Sequence, residues 1–279
     1  MAAVLALTLA GCTQSQLRGY MPGEPGVTNH TDRITGLWAT SWQVLMIVGI
    51  ITWGLTLWVA IAYRRRKGQS GLPVQLRYNM PIEILYTVIP LILVLGFFAF
   101  TARDQAAIEQ PTDNPDVRVE VFAKRWAWDF NYVDEGPGGE GVHTMGIQAQ
   151  ENEDDDSMDI EKFPELVLPV GKTVEVRLES RDVAHSFWVI DFLYKKDTIP
   201  GKTNYMYFTP QKEGVYAGKC AEFCGEYHGL MLFNVRVVSQ AEYDNYIQDL
   251  VDAGQTGIRG TEYNANTNQP DNKAPERRG

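Results

Sequence analysis

The sequence predicts a two-helix transmembrane hairpin followed by an all-β exported domain. Three observations carry that reading. Val44 to Ala62 and Ile84 to Ala102 are each 19 residues without a charge, and about 20 apolar residues in a helix cross a hydrocarbon core. The loop between them holds Arg64, Arg65, Arg66, Lys67 and Arg77 and no acid, which marks it as cytoplasmic and puts both chain ends outside. Beyond Pro115 the hydrophobic period becomes two: Val117 to Val121, Thr173 to Leu178 and Leu232 to Val237 each alternate apolar and polar residues, the pattern of short strands in an antiparallel sandwich or barrel.

The elements follow in order. Residues 1–12 read as a lipoprotein-type signal segment, because Leu5 to Gly11 is an apolar core that ends at Cys12. That ending resembles the L-A-G-C lipobox of bacterial lipoproteins, whose Cys is lipidated; the usual basic start is missing, since no Lys or Arg precedes Arg18. Residues 13–37 form an exported polar linker, and 38–63 the first span, with Trp38 and Trp42 at one end and Trp58 and Tyr63 at the other, as membrane interfaces favour. Residues 64–79 are the cytoplasmic basic loop and 80–102 the second span, where Pro90 predicts a kink. Residues 103–238 are the exported β domain, with an acidic insertion near 133–162 that includes seven acids between Glu151 and Glu161. Residues 239–279 read as a helix from Gln240 to Val251 and then a polar, disordered tail.

Charge narrows the partners. From Arg103 onward the chain carries 18 Lys+Arg against 32 Asp+Glu. Such a field attracts basic partners and argues against nucleic acid.

The chemistry concentrates between Cys220 and Met231, C-A-E-F-C-G-E-Y-H-G-L-M. Thiolate and thioether are soft ligands that suit copper, and imidazole suits several transition metals. A further imidazole has four sources. His30 lies in the linker, His143 beside the Gly-rich turn and His228 in the motif itself, which leaves His185 in Asp182-Val183-Ala184-His185. A single zinc takes two Cys and two His but has no use for Met231. A single blue copper leaves one Cys over. Two coppers sharing both thiolates use every ligand, with a backbone carbonyl between the cysteines as a further weak one.

The motif resembles the CuA site of the cytochrome c oxidase subunit II family, C-S-E-x-C-G-x-x-H-x-x-M, with Ala221 for the commoner Ser. The resemblance runs through both spans and the domain from Val117 to Val238. It implies a cupredoxin-like Greek-key barrel and a binuclear copper centre held by His185, Cys220, Cys224, His228, Met231 and the Glu222 carbonyl. The Glu222 side chain would reach a Mg2+ shared with subunit I. Arg125-Trp126-Ala127-Trp128 resembles the family's Q-W-Y-W, which makes Trp126 the acceptor point for electrons from cytochrome c and leaves Trp128 to pack the barrel. Asp182 matches a family docking carboxylate for cytochrome c, whereas an acidic docking position after the Trp pair is Asn131 here. Glu83, in E-I-L-Y-T-V-I-P, resembles the Glu that marks the entrance of a proton channel into subunit I.

The same resemblance implies a bacterial plasma-membrane protein, multi-pass, with the copper domain outside. Its partners would be subunits I and III, with haems in the partner only. The long acidic stretch is unusual for the family; with the lipid anchor and the tail it is expected to adapt the subunit to a membrane-bound cytochrome c, an arrangement that resembles the actinobacterial form with its bc-aa3 assembly. Rival readings fail on pattern: a copper-delivery protein would show helices between its strands, nitrous oxide reductase needs a propeller for which there is no room, and quinol oxidase subunits lack the copper ligands.

Overall fold

The computed structural model describes residues 13–72, 75–150, 158 and 160–264. Cys12, most of the acidic stretch and the tail from residue 265 lie outside the described residues. The chain divides into two compact units, residues 1–21 with 33–107, and residues 22–32 with 108–279.

The first unit is built on two long helices, α1 (Thr31–Ala62) and α2 (Met80–Ile108). Both are long and apolar enough to span a bilayer, with mean hydropathies of 2.3 and 2.4 in their most apolar windows. Both extend beyond the uncharged runs, and at the far end a charged cluster ties them together. Asp104, 5% exposed, accepts from Arg33 at 2.9 Å and from Arg103 at 3.0 Å. α2 continues as one helix through Pro90. Its start is capped: Asn79 N–H donates to the Glu83 carboxylate at 2.9 Å, and Ile82 N–H to the Asn79 side chain at 3.4 Å. These satisfy donors that a helix start leaves without partners.

The second unit is a β-sandwich of two five-stranded sheets. The first has the order β3 (Val142–Met145), β2 (Ala127–Tyr132), β1 (Val117–Lys124), β5 (Val174–Ser180), β8 (Asn204–Phe208). The second runs β4 (Glu165–Pro169), β10 (Leu232–Val238), β9 (Gly214–Cys220), β6 (His185–Val189), β7 (Tyr194–Thr198). The strands are not all antiparallel: β1 pairs with β5, and β10 with β4, in parallel. Greek-key crossovers, which set strands from distant parts of the chain side by side, allow this mixture.

Alternation turns Val119, Val121, Val174, Val176, Phe187 and Phe233 inward, all buried. Phe187 and Phe233 stack at 4.7 Å between ring centres. That approach requires Gly218, because a Cβ there would sit 2.2 Å from the Phe233 ring.

Helix α3 (Gln240–Asp252) is opened by a capping box between Ser239 and Glu242. It buries Tyr243, Ile247 and Leu250, which recur at helical spacing. Tyr132 and Tyr243 pack edge to face at 6.1 Å. The segment after α3, expected as a loose tail, is instead a strap along the β2–β3 edge. His143 N–H donates to Gln255 O at 3.0 Å and Gly257 N–H to Gly141 O at 2.8 Å. Asn131, which stands where the resemblance expects an acidic docking residue, is fully buried beneath this strap. Its amide donates to Arg259 O at 3.0 Å and its carbonyl accepts from Arg259 N–H at 3.1 Å.

Candidate metal centre

The donors gather because three strand ends meet at one pole of the sandwich. His185 opens β6 and shares the inward face with Phe187. Cys220 closes β9 in register with Phe187, and Met231 lies immediately before β10. The loop between them is closed at its base by Cys220 N–H to Met231 O at 3.1 Å and Ala221 N–H to Ser186 O at 3.0 Å. A 3-10 turn, His228–Leu230, folds the loop back on itself.

Within this pocket Cys220 Sγ lies 3.8 Å from Cys224 Sγ, 3.9 Å from His185 Nδ1 and 3.2 Å from the Glu222 carbonyl. Cys224 Sγ lies 3.5 Å from His228 Nδ1 and 3.9 Å from Met231 Sδ. Both cysteines are free thiols. The ligand atoms of His185, Cys220 and Cys224 fall within 4.8 Å of one another. His185 and Met231 are fully buried, and His228 is half-buried. Two thiols, two imidazoles and a buried thioether form a soft donor set that fits copper. A tetrahedral zinc would leave the thioether without a role.

The two thiols are not equivalent. Burial pushes both up, but the His185 imidazole beside Cys220 reverses the shift there, so Cys220 is the more acidic. Cys224 is held well above the ordinary thiol range by burial and by the Cys220 charge next to it.

Behind His185 stands Asp182. Expected at a docking surface, it is only 4% exposed and turned inward. Its Oδ1 sits 2.8 Å from His185 Nε2 and accepts from Val183 N–H at 2.7 Å. Its Oδ2 accepts from Arg125 N–H at 2.7 Å and, more distantly, from Arg125 Nε at 3.4 Å. Burial disfavours the charged carboxylate, yet these donors outweigh it and its pKa falls below the usual value. Burial likewise works against a charged His185, but Asp182 and Cys220 together outweigh it and the His185 pKa rises. A carboxylate on the far nitrogen fixes the ring so that Nδ1 faces the sulfurs, an arrangement common behind metal-bound imidazoles.

A family model for cytochrome c oxidase subunit II, periplasmic domain, matches residues 117–238. A probable cytochrome c oxidase subunit 2 of Streptomyces avermitilis is 41% identical over 281 residues, spanning 92% of this chain and 86% of that one. The cytochrome c oxidase subunit 2 of Mycobacterium tuberculosis is 31% identical over 294 residues, spanning 90% and 80%. The chain belongs to the cytochrome c oxidase subunit II family. A crystallised periplasmic domain of subunit II from Bradyrhizobium japonicum is 28% identical, covers 51% of this chain and 99% of that one, and superposes with a TM-score of 0.44.

As a subunit II, the chain carries a CuA-type domain, and the cluster of His185, Cys220 and Cys224 fits that centre. Trp126 is half-buried beside the metal loop. Its ring packs edge to face on Tyr227 at 4.9 Å, and a Cβ added at Gly225 would sit 3.1 Å from it. Trp128 is fully buried beneath the pocket, donating to Met231 O at 3.3 Å. Glu222 is exposed on the loop. Glu83 lies at the start of α2 in the other unit, where it accepts from Asn79.

Sequence reasoning missed Tyr227, Phe223 and Arg181. Tyr227 and Phe223 sit inside the motif but at its variable positions, so ligand spacing passes over them. Phe223 is 79% exposed, with its ring 5.8 Å from that of His228. Nothing in the local pattern distinguishes Arg181 from an ordinary solvated strand-end residue.

Proposed function

We propose that this subunit II is the electron-accepting arm of an aa3-type haem-copper oxidase. It takes electrons from cytochrome c and passes them to haem a in subunit I, where O2 is reduced to water and protons are translocated. The observation that carries this reading is the convergence of His185, Cys220, Cys224, His228 and Met231 in one buried pocket. These five residues would hold the CuA copper, which would supply one-electron chemistry.

The residues around that pocket divide the remaining work. Trp126 presents an indole edge from the surface to the metal loop and is the acceptor point for electrons. Trp128, Phe187 and Phe233 exclude water from beneath it, with Trp128 centred 5.4 Å and 5.3 Å from the two phenylalanine rings. A dry, rigid pocket keeps the rearrangement on electron transfer small. Asp182 and Arg125 hold the His185 ring. Glu222, exposed between the cysteines, would share a Mg2+ with subunit I.

Further parts of the reading concern the membrane. Both termini and the copper domain lie on the outer face of a bacterial plasma membrane, Cys12 carries lipid, and subunit III completes the complex. Glu83 opens a proton path into subunit I from the cytoplasmic side. The acidic run from Glu151 to Glu161 serves a membrane-bound cytochrome c in a bc-aa3 assembly; deleting residues 151–161 lowers turnover with the native donor and flattens its salt dependence, and unchanged values for both would overturn that role.

The deciding experiment loads the full chain with copper in detergent and records its optical and EPR spectra. A purple species with one unpaired electron shared between two coppers is expected. One isolated copper, or none, would overturn the reading.

A further inference from the structure

The loop that bears Asp182 and His185 has a second anchor on its opposite side. Arg181 directly precedes Asp182, yet its side chain runs away from the metal pocket and is buried, 2% exposed. Its Nε donates to Asp129 at 3.1 Å. Its remaining donors are spent on the strap after α3: Nη1 on Gly260 O at 2.6 Å and on the Asn264 side chain at 3.4 Å, and Nη2 on Arg259 O at 2.9 Å. The guanidinium lies 4.0 Å over the Phe122 ring. Asp129 is held in turn by Lys124 Nζ at 2.6 Å and Gly146 N–H at 3.2 Å.

From this geometry we propose that Arg181 is a positioning residue for the copper ligand His185, and that the C-terminal strap Gln255–Asn264 is what fixes Arg181. This role for Arg181 rests on the copper reading of His185 and deepens it. Four residues connect β5 to β6, and the backbone of Arg181 is tied to β1 through Arg181 N–H to Ala123 O at 2.8 Å. Asp182 N–H donates to Ser180 Oγ at 3.2 Å, and that hydroxyl closes the turn on Val183 O. A displacement at Arg181 therefore passes to Asp182 within one peptide unit. From Asp182 it passes to the His185 ring through the 2.8 Å contact at Nε2.

What holds Arg181 is mostly strap. Without Arg259 O, Gly260 O and Asn264, the guanidinium would keep Asp129 alone and bury donors without acceptors, which is costly for a charged group. The side chain then swings toward water and carries its backbone along. Asn131 sets the register of the strap with its paired bonds to the Arg259 backbone. A segment remote in sequence from every ligand thereby decides how the first imidazole is aimed.

Three variants in detergent test this: a chain stopped after Gly254, and the full chain carrying Asn131→Ala or Arg181→Lys. The first readout is amide hydrogen exchange at Val183, whose N–H donates to Asp182, measured without metal. The second is the reduction midpoint, spectrum and affinity of the copper-loaded centre. The stop and Asn131→Ala speed exchange at Val183, displace the midpoint and alter the copper spectrum. Copper affinity falls by about tenfold, the low end of losses when an outer-shell partner is removed. Arg181→Lys, which keeps the charge but loses the fork of donors, gives an intermediate effect.

Asn131→Ala deletes only two hydrogen bonds and decides the matter if the stop variant does not fold. Unchanged Val183 exchange and an unchanged copper spectrum in Asn131→Ala would overturn the inference. A wild-type chain without a two-copper signature would instead sink the copper reading, while the metal-free exchange experiment still judges the coupling of strap to loop.

Discussion

Asp182→Asn separates a residue that aims a ligand from one that docks a partner. The replacement keeps the size and shape of the side chain but has a single acceptor oxygen. In the wild type, Oδ1 serves His185 Nε2 and Val183 N–H while Oδ2 serves Arg125 N–H and Nε. Whichever way the new amide turns, its NH2 faces a backbone donor, Val183 N–H in one orientation and Arg125 N–H in the other. One side of the network is lost. Hydrogen bonds to a charged partner contribute about 1.5–3 kcal/mol each, so the apo-protein loses roughly that much stability. Removing an outer-shell carboxylate from a metal-bound histidine lowers metal affinity by about 10–100-fold, or ~1.4–2.8 kcal/mol. Titrating the copper-loaded full chain against a chelator reads the affinity, and denaturant unfolding reads the stability. In parallel, the ionic-strength dependence of reduction by cytochrome c stays as in the wild type, because a carboxylate with 4% exposure contributes little to a docking field. Wild-type copper affinity together with a changed salt dependence would refute the reasoning and return Asp182 to the docking surface.

Other perturbations probe different parts of the molecule. Trp126→Ala weakens cytochrome docking by about 2 kcal/mol, ~30-fold, as aromatic anchors at interfaces commonly do; KM for reduced cytochrome c checks this, and the copper spectrum stays unchanged. Gly218→Ala forces a methyl to within 2.2 Å of the Phe233 ring, and thermal unfolding shows a loss of about 1–3 kcal/mol or more. Glu83→Gln slows proton uptake by the assembled oxidase while copper reduction keeps its rate, read by stopped flow with a pH dye. Alkaline stability follows from the tyrosines packed between α3 and β2. Burial holds Tyr132 and Tyr243 neutral well above the ordinary phenol range, and it pushes Tyr246 up to about 12 from 10.0. A pKa raised by folding gives stability that is complete below the unfolded value and lost above it. The unfolding midpoint is therefore flat up to about pH 10 and falls toward pH 12; Tyr246→Phe removes part of that fall.

The sequence made legible what depends on period and spacing. Uncharged length marked both spans, alternation marked β1, β5 and β10, and the motif marked four ligands with His185 as the fifth. What it could not show are contacts between segments far apart in the chain. Asp182 looks like a surface acid in a polar turn, and only packing against Arg125 and His185 turns it inward. Asn131 looks like an altered docking position, and only the strap buries it. The residues after α3 are polar and rich in Gly, which reads as a loose tail. Their carbonyls are nevertheless the acceptors that a buried arginine needs, and no periodicity records a need of that kind.

On the proposed reading, the surface over the copper loop splits recognition between two ranges. The domain's acidic excess from Arg103 onward acts at a distance, drawing in a basic donor over a Debye length of about 8 Å at physiological salt. At contact the chemistry changes, because the loop presents Tyr227 and Phe223, with Phe223 79% exposed, and Trp126 packs beside them on Tyr227. Long-range charge sets how often a donor arrives, while apolar edges that need no particular charge partner set how it seats. Adding salt then slows arrival without loosening the seated complex, whereas trimming Phe223 to Ala loosens the seat without changing the salt slope. Measuring both in one series, rate against ionic strength for wild type and Phe223→Ala, distinguishes this division from a purely electrostatic interface. In the purely electrostatic case the two lines coincide; in the divided case they run parallel and offset.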